Sequence, residues 1–70
     1  MERKVITDRE RQVLRFIAQG YSNKQIAQEL SLSVKTVDAH RANIMRKLQI
    51  DNLAGLVKYA IRMGIIDLEG

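Results

Sequence analysis

Apolar residues recur at every third or fourth position in four separate segments of this 70-residue chain. This spacing matches the period of an α-helix, and no segment shows the alternation of apolar and polar residues that marks a half-buried strand. The chain has no proline, and its strongest helix breakers are four glycines. The pattern predicts an all-α fold with helices at residues 8–19, about 22–30, 34–48 and 52–63.

Two of these helices begin with the same local signal. Thr7 and Glu10 match the capping box, in which a hydroxyl accepts from a backbone N–H and an acid or amide reaches back to the cap residue. Ser22 and Gln25 repeat that spacing before the second helix. Gly20 tolerates the left-handed conformation that ends many helices, so we place the end of the first helix just before it.

The second and third predicted helices are separated by only three residues, 31–33. Leu32 is expected to plug the core beneath this turn, and Ser33 is a good cap for the third helix. A short helix, a tight turn and a longer helix form the helix-turn-helix arrangement. Such an arrangement presents the third helix on a protruding edge of the domain.

The third helix has two distinct faces when it is wound at about 100° per residue. The face expected to pack on the core comprises Val34, Val37, Ile44, Met45 and Leu48. The opposite face comprises Lys35, Ala39, Ala42, Asn43 and Arg46. Two alanines at the centre of that face let the backbone approach a partner closely, and the major groove of DNA admits a helix of this kind.

The fourth helix is apolar over an unusually wide arc, roughly 220° on the helical wheel. We expect Asp51 to cap it and Gly64 to close it. The core stripe is predicted to be Leu53, Leu56, Val57, Ala60 and Met63. A helix on the edge of so small a domain has too few neighbours to bury the whole arc, so part of it is expected to meet a second copy or another domain. The tail residues Ile65, Ile66 and Leu68 are expected to fold back over some of this surface.

Charge adds an indication of the partner. Twelve Lys and Arg against eight Asp and Glu give a net charge of +4, and the segment 34–48 alone carries +3. A concentration of positive charge on one helix favours an anionic partner. The aromatic residues Phe16, Tyr21 and Tyr59 stand at separate points, which argues against a stacking platform for single strands. Double-stranded DNA is therefore the predicted partner.

Other classes of function find little support in the composition. The chain has no cysteine and one histidine, which excludes a disulfide scaffold, a cysteine-ligated zinc site and a multi-histidine metal centre. No nucleophile, base and acid can be assembled, and no glycine-rich phosphate loop occurs, so we expect no enzymatic activity and no cofactor. The apolar runs are too short to span a membrane, and a cytoplasmic protein without membrane contact is expected.

The polar residues divide by the part of DNA that each suits. Lys35, Arg46 and Lys47 suit phosphate contacts, as does the helix N-terminus at Ser22, Asn23 and Lys24. Side chains better placed for base edges are Asp38, Ala39, Ala42 and Asn43.

Each of these assignments has a structural alternative. The basic helix can be a solvated surface, and Asp38 can pair with Arg41 or Lys35 one turn away. His40, on the border between the two faces, can be a packed ring instead of a phosphate contact. Arg41 falls on the core side, where its stem is expected to lie along apolar surface. Residues 22–24 can serve as a plain helix cap, a role that is compatible with phosphate contact.

The segment that carries most of these features reads TDRERQVLRFIAQGYSNKQIAQELSLSVKTVDAHRANIMRKLQI. It resembles the DNA-binding domain of the LuxR family of bacterial transcription regulators, which includes the NarL/FixJ-type response regulators. The resemblance covers about residues 6–66. Its markers are Arg9 with Glu10, the run Ser22–Ala27, Thr36 with Val37, His40, and Lys47 with Leu48.

The resemblance implies a single four-helix domain over residues 1–70, with the helix-turn-helix at about 22–41 and the third helix in the major groove. The family's base-reading positions fall on Asp38, Ala39 and Ala42. Its backbone-contacting positions fall on Asn23, Lys24, Ser33, Lys35, Thr36, His40, Arg46 and Lys47. In the family the fourth helix is a dimer surface, which here comprises Ala54, Val57, Lys58 and Ile61.

Two copies are then expected to bind half-sites related by a two-fold axis, with dimerisation at least on DNA. The resemblance also implies an N-terminal receiver or ligand-binding domain in the parent protein, although a small stand-alone regulator fits these residues too. The chain departs from the family at Asp38, where a basic or neutral residue is common, and at Leu53, often an arginine. A protein-interaction module that uses the apolar fourth helix is the competing hypothesis.

Overall fold

The computed structural model describes residues 6–67. This part of the chain contains four α-helices and no strand, as the apolar spacing predicts. The helices are α1 (Asp8–Ala18), α2 (Asn23–Leu30), α3 (Val34–Leu48) and α4 (Leu53–Arg62). The all-α fold with a helix-turn-helix is thus confirmed.

Both predicted capping boxes are formed. The Thr7 N–H donates to Glu10 Oε1 at 2.9 Å, and the Glu10 N–H donates to Thr7 Oγ1 at 3.1 Å. At the start of α2, the Ser22 N–H donates to Gln25 Oε1 at 2.8 Å and the Gln25 N–H donates to Ser22 Oγ at 3.1 Å. Gly20, at φ +94°, ends α1 with a conformation that favours glycine.

The start of α4 differs from the prediction. Its cap is Asn52 and not Asp51, because the Asn52 Oδ1 accepts from the Gly55 N–H at 2.7 Å. Asp51 stands one residue too early, and its carboxylate accepts from the Asn52 side chain at 3.2 Å. Gly55 packs closely against Ile50, since an added Cβ would lie 2.6 Å from Ile50 Cγ2 and would force a shift. The helix ends at Arg62 and not Met63.

The turn between α2 and α3 is held by backbone conformation. Ser31 adopts the left-handed region at φ 56° and ψ 44°, and the Leu32 N–H donates to the Ala27 carbonyl at 2.9 Å. Leu32 is half-buried against the core, as predicted. Ser33 then caps α3 by accepting from the Thr36 N–H at 3.1 Å. These bonds determine the direction in which α3 leaves the turn.

The core lies around α1, which contacts each of the other three helices. The buried side chains of the core come from all four helices: Val13, Leu14, Ile17, Ile26, Ala27, Val37, Ile44, Leu56 and Ala60. Three residues predicted to pack on the core are exposed instead, Val34 at 44% and Leu53 and Met63 at 52% each. Met45, Leu48 and Val57, which were predicted on the same faces, are half-buried. The three exposed residues lie at the ends of their helices. A helical wheel assumes a neighbour along the whole helix, and at these three positions none buries the side chain.

The tail after α4 and an aromatic pair after α1 add further contacts to the domain. Ile65 and Ile66 are half-buried against the core, and the Ile65 N–H donates to the Ala60 carbonyl at 2.8 Å. These two tail residues therefore pack onto the core, while Leu68, the third residue expected to fold back, lies outside the described residues. The prediction of dispersed aromatics is wrong for one pair, because the turn at residue 20 brings Tyr21 to 4.8 Å from Phe16, centroid to centroid.

The burial difference along α4 provides a matched test of this packing. Leu56→Ala removes a fully buried side chain and is expected to lower the free energy of unfolding by about 2–5 kcal/mol. Leu53→Ala, at a 52% exposed position of the same helix, is expected to change it by about 0.5 kcal/mol or less. Urea denaturation followed by circular dichroism, at a concentration where the domain is monomeric, measures both. Equal losses for the two variants would contradict this packing.

Candidate nucleic-acid interface

The exposed side of α3 is a stripe that runs the length of the helix. We call this the open face of α3, and it comprises Lys35, Asp38, Ala39, Ala42 and Arg46, all exposed. These residues follow one another at intervals of one to four positions, so that they line a single side of the helix. The opposite side carries the buried Val37 and Ile44. The predicted division of α3 into a core side and an open side is correct apart from Val34, which is exposed, and Asn43, which is half-buried.

The dimensions of α3 suit a groove of nucleic acid. Its 15 residues correspond to a rod about 22 Å long at a rise of about 1.5 Å per residue. The major groove of B-DNA is about 12 Å wide, which is close to the diameter of an α-helix with its side chains. The methyl groups of Ala39 and Ala42 are the smallest side chains on the open face. They leave the α3 backbone accessible to a close partner.

Positive and polar groups border the alanines. Lys35 and Arg46 are exposed near the two ends of α3. Arg46 Nη2 donates to Asn43 Oδ1 at 3.1 Å, which holds the half-buried Asn43 amide beside the guanidinium. His40 is half-buried at the border of the open face, as predicted.

The start of α3 carries a pair of hydroxyl side chains. Ser33 and Thr36 are both exposed, and their side-chain oxygens lie 2.9 Å apart. At the start of α2, Ser22 and Lys24 are exposed and Asn23 is half-buried. The Ser22 hydroxyl serves as a helix cap, so the structural alternative for this residue is correct.

A polar network links the start of α2 to the middle of α3. Asn23 Nδ2 donates to Asp38 Oδ1, and Arg41 Nη1 donates to Asn23 Oδ1 at 3.0 Å. Asp38 was expected either to face a partner or to pair with a basic residue one turn away on α3. The structure instead places the Asn23 amide between Asp38 and Arg41. The sequence carries no local signal for this contact, because the bonded residues are 15 and 18 positions apart.

Lys47 makes an ion pair on the other side of α3. Its Nζ lies 2.8 Å from Glu10 Oε1, the same oxygen that accepts from the Thr7 N–H. The Lys47 side chain is 23% exposed and that of Glu10 is 5% exposed. Sequence reasoning identified Glu10 as a capping residue and a family marker but not as an ion-pair partner, since Lys47 lies 37 positions further along.

This pair changes the acidity of Glu10. Burial acts to raise the pKa of the Glu10 carboxyl, but hydrogen bonds from Lys47 and Thr7 and the Lys47 charge together outweigh it and hold the pKa below its ordinary value. A carboxyl with a lowered pKa in the folded state stabilises the fold above its unfolded-state pKa. That contribution is lost as the pH falls through the folded-state pKa.

The exposed surface of α4 is largely apolar. Of the residues assigned to a dimer surface, Ala54 and Lys58 are exposed, and Val57 and Ile61 are half-buried. The exposed Leu53 and Met63, expected in the core, add to the apolar surface of this helix at its two ends. Across residues 6–67, every helix is too short or too polar to cross a bilayer.

Comparison with known families identifies the class of domain. The model of a family described as bacterial regulatory proteins, luxR family, matches residues 4–60. The chain belongs to this family, and its four helices form a LuxR-type helix-turn-helix domain. The resemblance found in the sequence is confirmed.

Individual relatives are longer than this chain. It is 44% identical over 64 residues to the oxygen regulatory protein NreC of Staphylococcus carnosus (strain TM300), covering 91% of this chain and 30% of the relative. It is 50% identical over 60 residues to the response regulatory protein YgeK of Escherichia coli (strain K12), covering 86% of this chain and 41% of the relative. The chain thus spans less than half the length of these curated relatives.

The Glu10 to Lys47 pair predicts a specific dependence of stability on pH. Glu10→Gln keeps an acceptor for the Thr7 cap but removes the charge opposite Lys47. We expect it to lower the free energy of unfolding at pH 7 by about 1–2 kcal/mol. The gap between wild type and variant should close as the pH falls through the lowered folded-state pKa of Glu10, because the wild-type carboxyl then becomes neutral too. Urea denaturation of wild type and variant at several pH values measures this difference in the free energy of unfolding.

The matched control for this prediction is Glu29→Gln at an exposed glutamate of α2. It is expected to leave the stability at pH 7 within about 0.5 kcal/mol of wild type. If the gap for Glu10→Gln stayed constant from pH 7 to pH 3, the ion pair would not be the source of the stabilisation.

Proposed function

We propose that this domain binds double-stranded DNA in a sequence-specific manner, as the output domain of a bacterial transcription regulator. The observation that carries the proposal is the open face of α3, where two exposed alanines lie between Lys35 and Arg46 on the side away from the core. Membership of the luxR family of bacterial regulatory proteins supports it. The activity is binding without chemistry, with no cofactor.

Phosphate contacts give the affinity and the orientation on the duplex. Basic side chains and helix N-termini supply such contacts without reading sequence. The proposed set is Ser22, Asn23, Lys24, Ser33, Lys35, Thr36, His40, Arg46 and Lys47. Lys47 is the least accessible lysine of the set, because its ammonium lies against the buried Glu10.

Base contacts give the specificity. The proposed base-reading residues are Asp38, Ala39, Ala42 and Asn43. A carboxylate accepts from the cytosine amino group, an alanine methyl contacts the thymine methyl, and an asparagine can bond both polar atoms of an adenine edge. With α3 in the major groove, the exposed Asp38, Ala39 and Ala42 face the base pairs directly.

We further propose that two copies bind together through α4. The exposed Leu53 and Met63 leave apolar surface in water on a domain this small, and burial against a second copy would remove it. The proposed contact residues are Ala54, Val57, Lys58 and Ile61. A two-fold axis through this surface would place the two α3 helices on half-sites about one helical turn of DNA apart.

Regulation is proposed to come from a further domain. Relatives that include a response regulatory protein are more than twice as long as this chain. An N-terminal receiver domain in the parent protein could control whether two DNA-binding domains come together. A DNA-bound regulator of bacterial genes acts in the cytoplasm.

Salt and one lysine test the electrostatic part of the proposal. The affinity for a duplex is expected to fall steeply from about 50 to 200 mM salt, because binding releases counterions from the phosphates. Lys35→Ala should weaken binding to all sequences and reduce the slope of log K against log salt by about 1. Fluorescence anisotropy measures both. Arg11→Ala, which removes an exposed charge from α1, is the control and should leave the slope nearly unchanged.

Base reading is tested by a separate pair of variants. Ala42→Leu and Asn43→Ala should each change which sequence is selected from a random duplex pool, at a cost of about 1–3 kcal/mol on the wild-type site. Sequencing of the retained duplexes reads the outcome. Affinity that is insensitive to salt, or selection left unchanged by both variants, would instead favour a protein-interaction module that uses α4.

The dimer surface is tested at its exposed alanine. Ala54→Glu places a charge in the proposed contact yet suits the first turn of α4, where the helix dipole favours an acid. The variant should lose cooperative binding to a duplex with two half-sites. Its affinity for a duplex with a single half-site should be close to that of wild type. Gln12→Glu, an equal charge change on the exposed side of α1, is the control. Retained cooperativity in Ala54→Glu would exclude this surface.

A further inference from the structure

We infer that Asn23 acts as a positioning residue for base recognition: it holds the Asp38 carboxylate so that Asp38 selects cytosine at one position of each half-site. The inference rests on the proposed function and deepens it. Family position and chemistry alone suggest Asn23 as a phosphate contact. Its observed bonds assign the side-chain amide to positioning, because both of its polar atoms are engaged within the protein, and leave the backbone N–H at the start of α2 for the phosphate contact proposed above.

The orientation of the Asn23 amide follows from its two partners. The Arg41 guanidinium can only donate hydrogen bonds, so the atom that faces it is Oδ1, at 3.0 Å. The ionised Asp38 carboxylate can only accept, so the atom that faces it is Nδ2. A flipped amide would place donor against donor and acceptor against acceptor. The network therefore has one arrangement.

This arrangement fixes a carboxylate on the open face of α3. Asp38 is exposed, whereas Asn23 and Arg41 are half-buried, so the two supporting residues lie behind the acid as seen from solvent. One Asp38 oxygen is occupied by the Asn23 amide, and a carboxylate has about four acceptor positions in all. The acceptor positions that remain can face a base edge.

A fixed acceptor discriminates between bases. In the major groove cytosine presents an amino donor and no acceptor, whereas adenine presents an amino donor beside the N7 acceptor, guanine presents two acceptors and thymine one. Acceptors opposite a carboxylate repel it, and a mobile side chain would turn away from them at little cost. Because Asn23 restrains Asp38, the repulsion cannot be avoided in this way. The restraint thus converts a negative charge near DNA, unfavourable in itself, into selectivity for cytosine.

A double-mutant cycle on the discrimination ratio tests this role. The probes are four duplexes of the selected site that differ only in the base pair nearest Asp38, and the ratio is the affinity for cytosine over the mean of the others. Wild type should show a ratio of roughly tenfold. Asn23→Ala and Asp38→Ala should each reduce it to near one. The double variant should lose no more than Asp38→Ala alone, because Asn23 acts only through Asp38.

Two further variants separate positioning from other effects. Asn23→Asp keeps an acceptor for Arg41 but has no donor for Asp38, so it should lose the ratio as Asn23→Ala does, and its acidic first-turn position favours folding. Lys24→Ala, at the next residue and exposed, should lower all four affinities by a similar factor and keep the ratio.

Three outcomes would overturn the inference. If Asn23→Ala lowers the affinity for all four duplexes equally, and by the same factor when Asp38 is already alanine, the Asn23 side chain is a phosphate contact. If wild type selects a site and the discrimination ratio on that site is unchanged in Asn23→Ala and Asn23→Asp, the positioning role is wrong while the proposed function stands. The absence of any selected site with wild type would overturn the proposed function itself, together with this inference.

Discussion

The burial of one side of α1 is the constraint on which the rest of the domain depends. Val13, Leu14 and Ile17 are inaccessible or nearly so, and α1 is the element that α2, α3 and α4 all contact. A chain of 70 residues can bury only about 60% of its unfolded surface, so there is no second core to compensate for a loss here. The position of the open face of α3 is set by the packing behind it. Glu10 adds a polar link, since one carboxylate both caps α1 and binds Lys47 near the end of α3.

The features that the sequence predicts correctly depend on residues within about four positions of one another. The capping boxes at Thr7 and Ser22 and the two faces of α3 are of this kind, because helix geometry relates near neighbours in a fixed way. Where two adjacent residues can both cap, as at Asp51 and Asn52, the local signal does not choose between them. The folded structure shows the choice, since it is the Asn52 Oδ1 that accepts from the Gly55 N–H.

The features that sequence reasoning missed are contacts between helices. A helical wheel gives the direction of a side chain but not the length of the neighbour it meets, which is why Leu53 and Met63 were expected in the core. A helical wheel also cannot predict which polar group on another helix a side chain will bond. The bonds of Glu10 with Lys47 and of Asn23 with Asp38 join residues 37 and 15 positions apart, and only the folded arrangement brings them together.

The separation of buried and exposed residues on α3 has a consequence for how such domains diverge. Ala39 and Ala42 contribute nothing to the core, so a lineage can replace either one in a single step without disturbing the fold. Asp38 is different, because its carboxylate is bonded to a residue of another helix. A different side chain at position 38 would leave the Asn23 Nδ2 without its acceptor until a second substitution replaced Asn23. Under the proposed recognition mode, preferences at the alanine positions would drift freely between descendants, whereas the preference at Asp38 would change only through paired replacements.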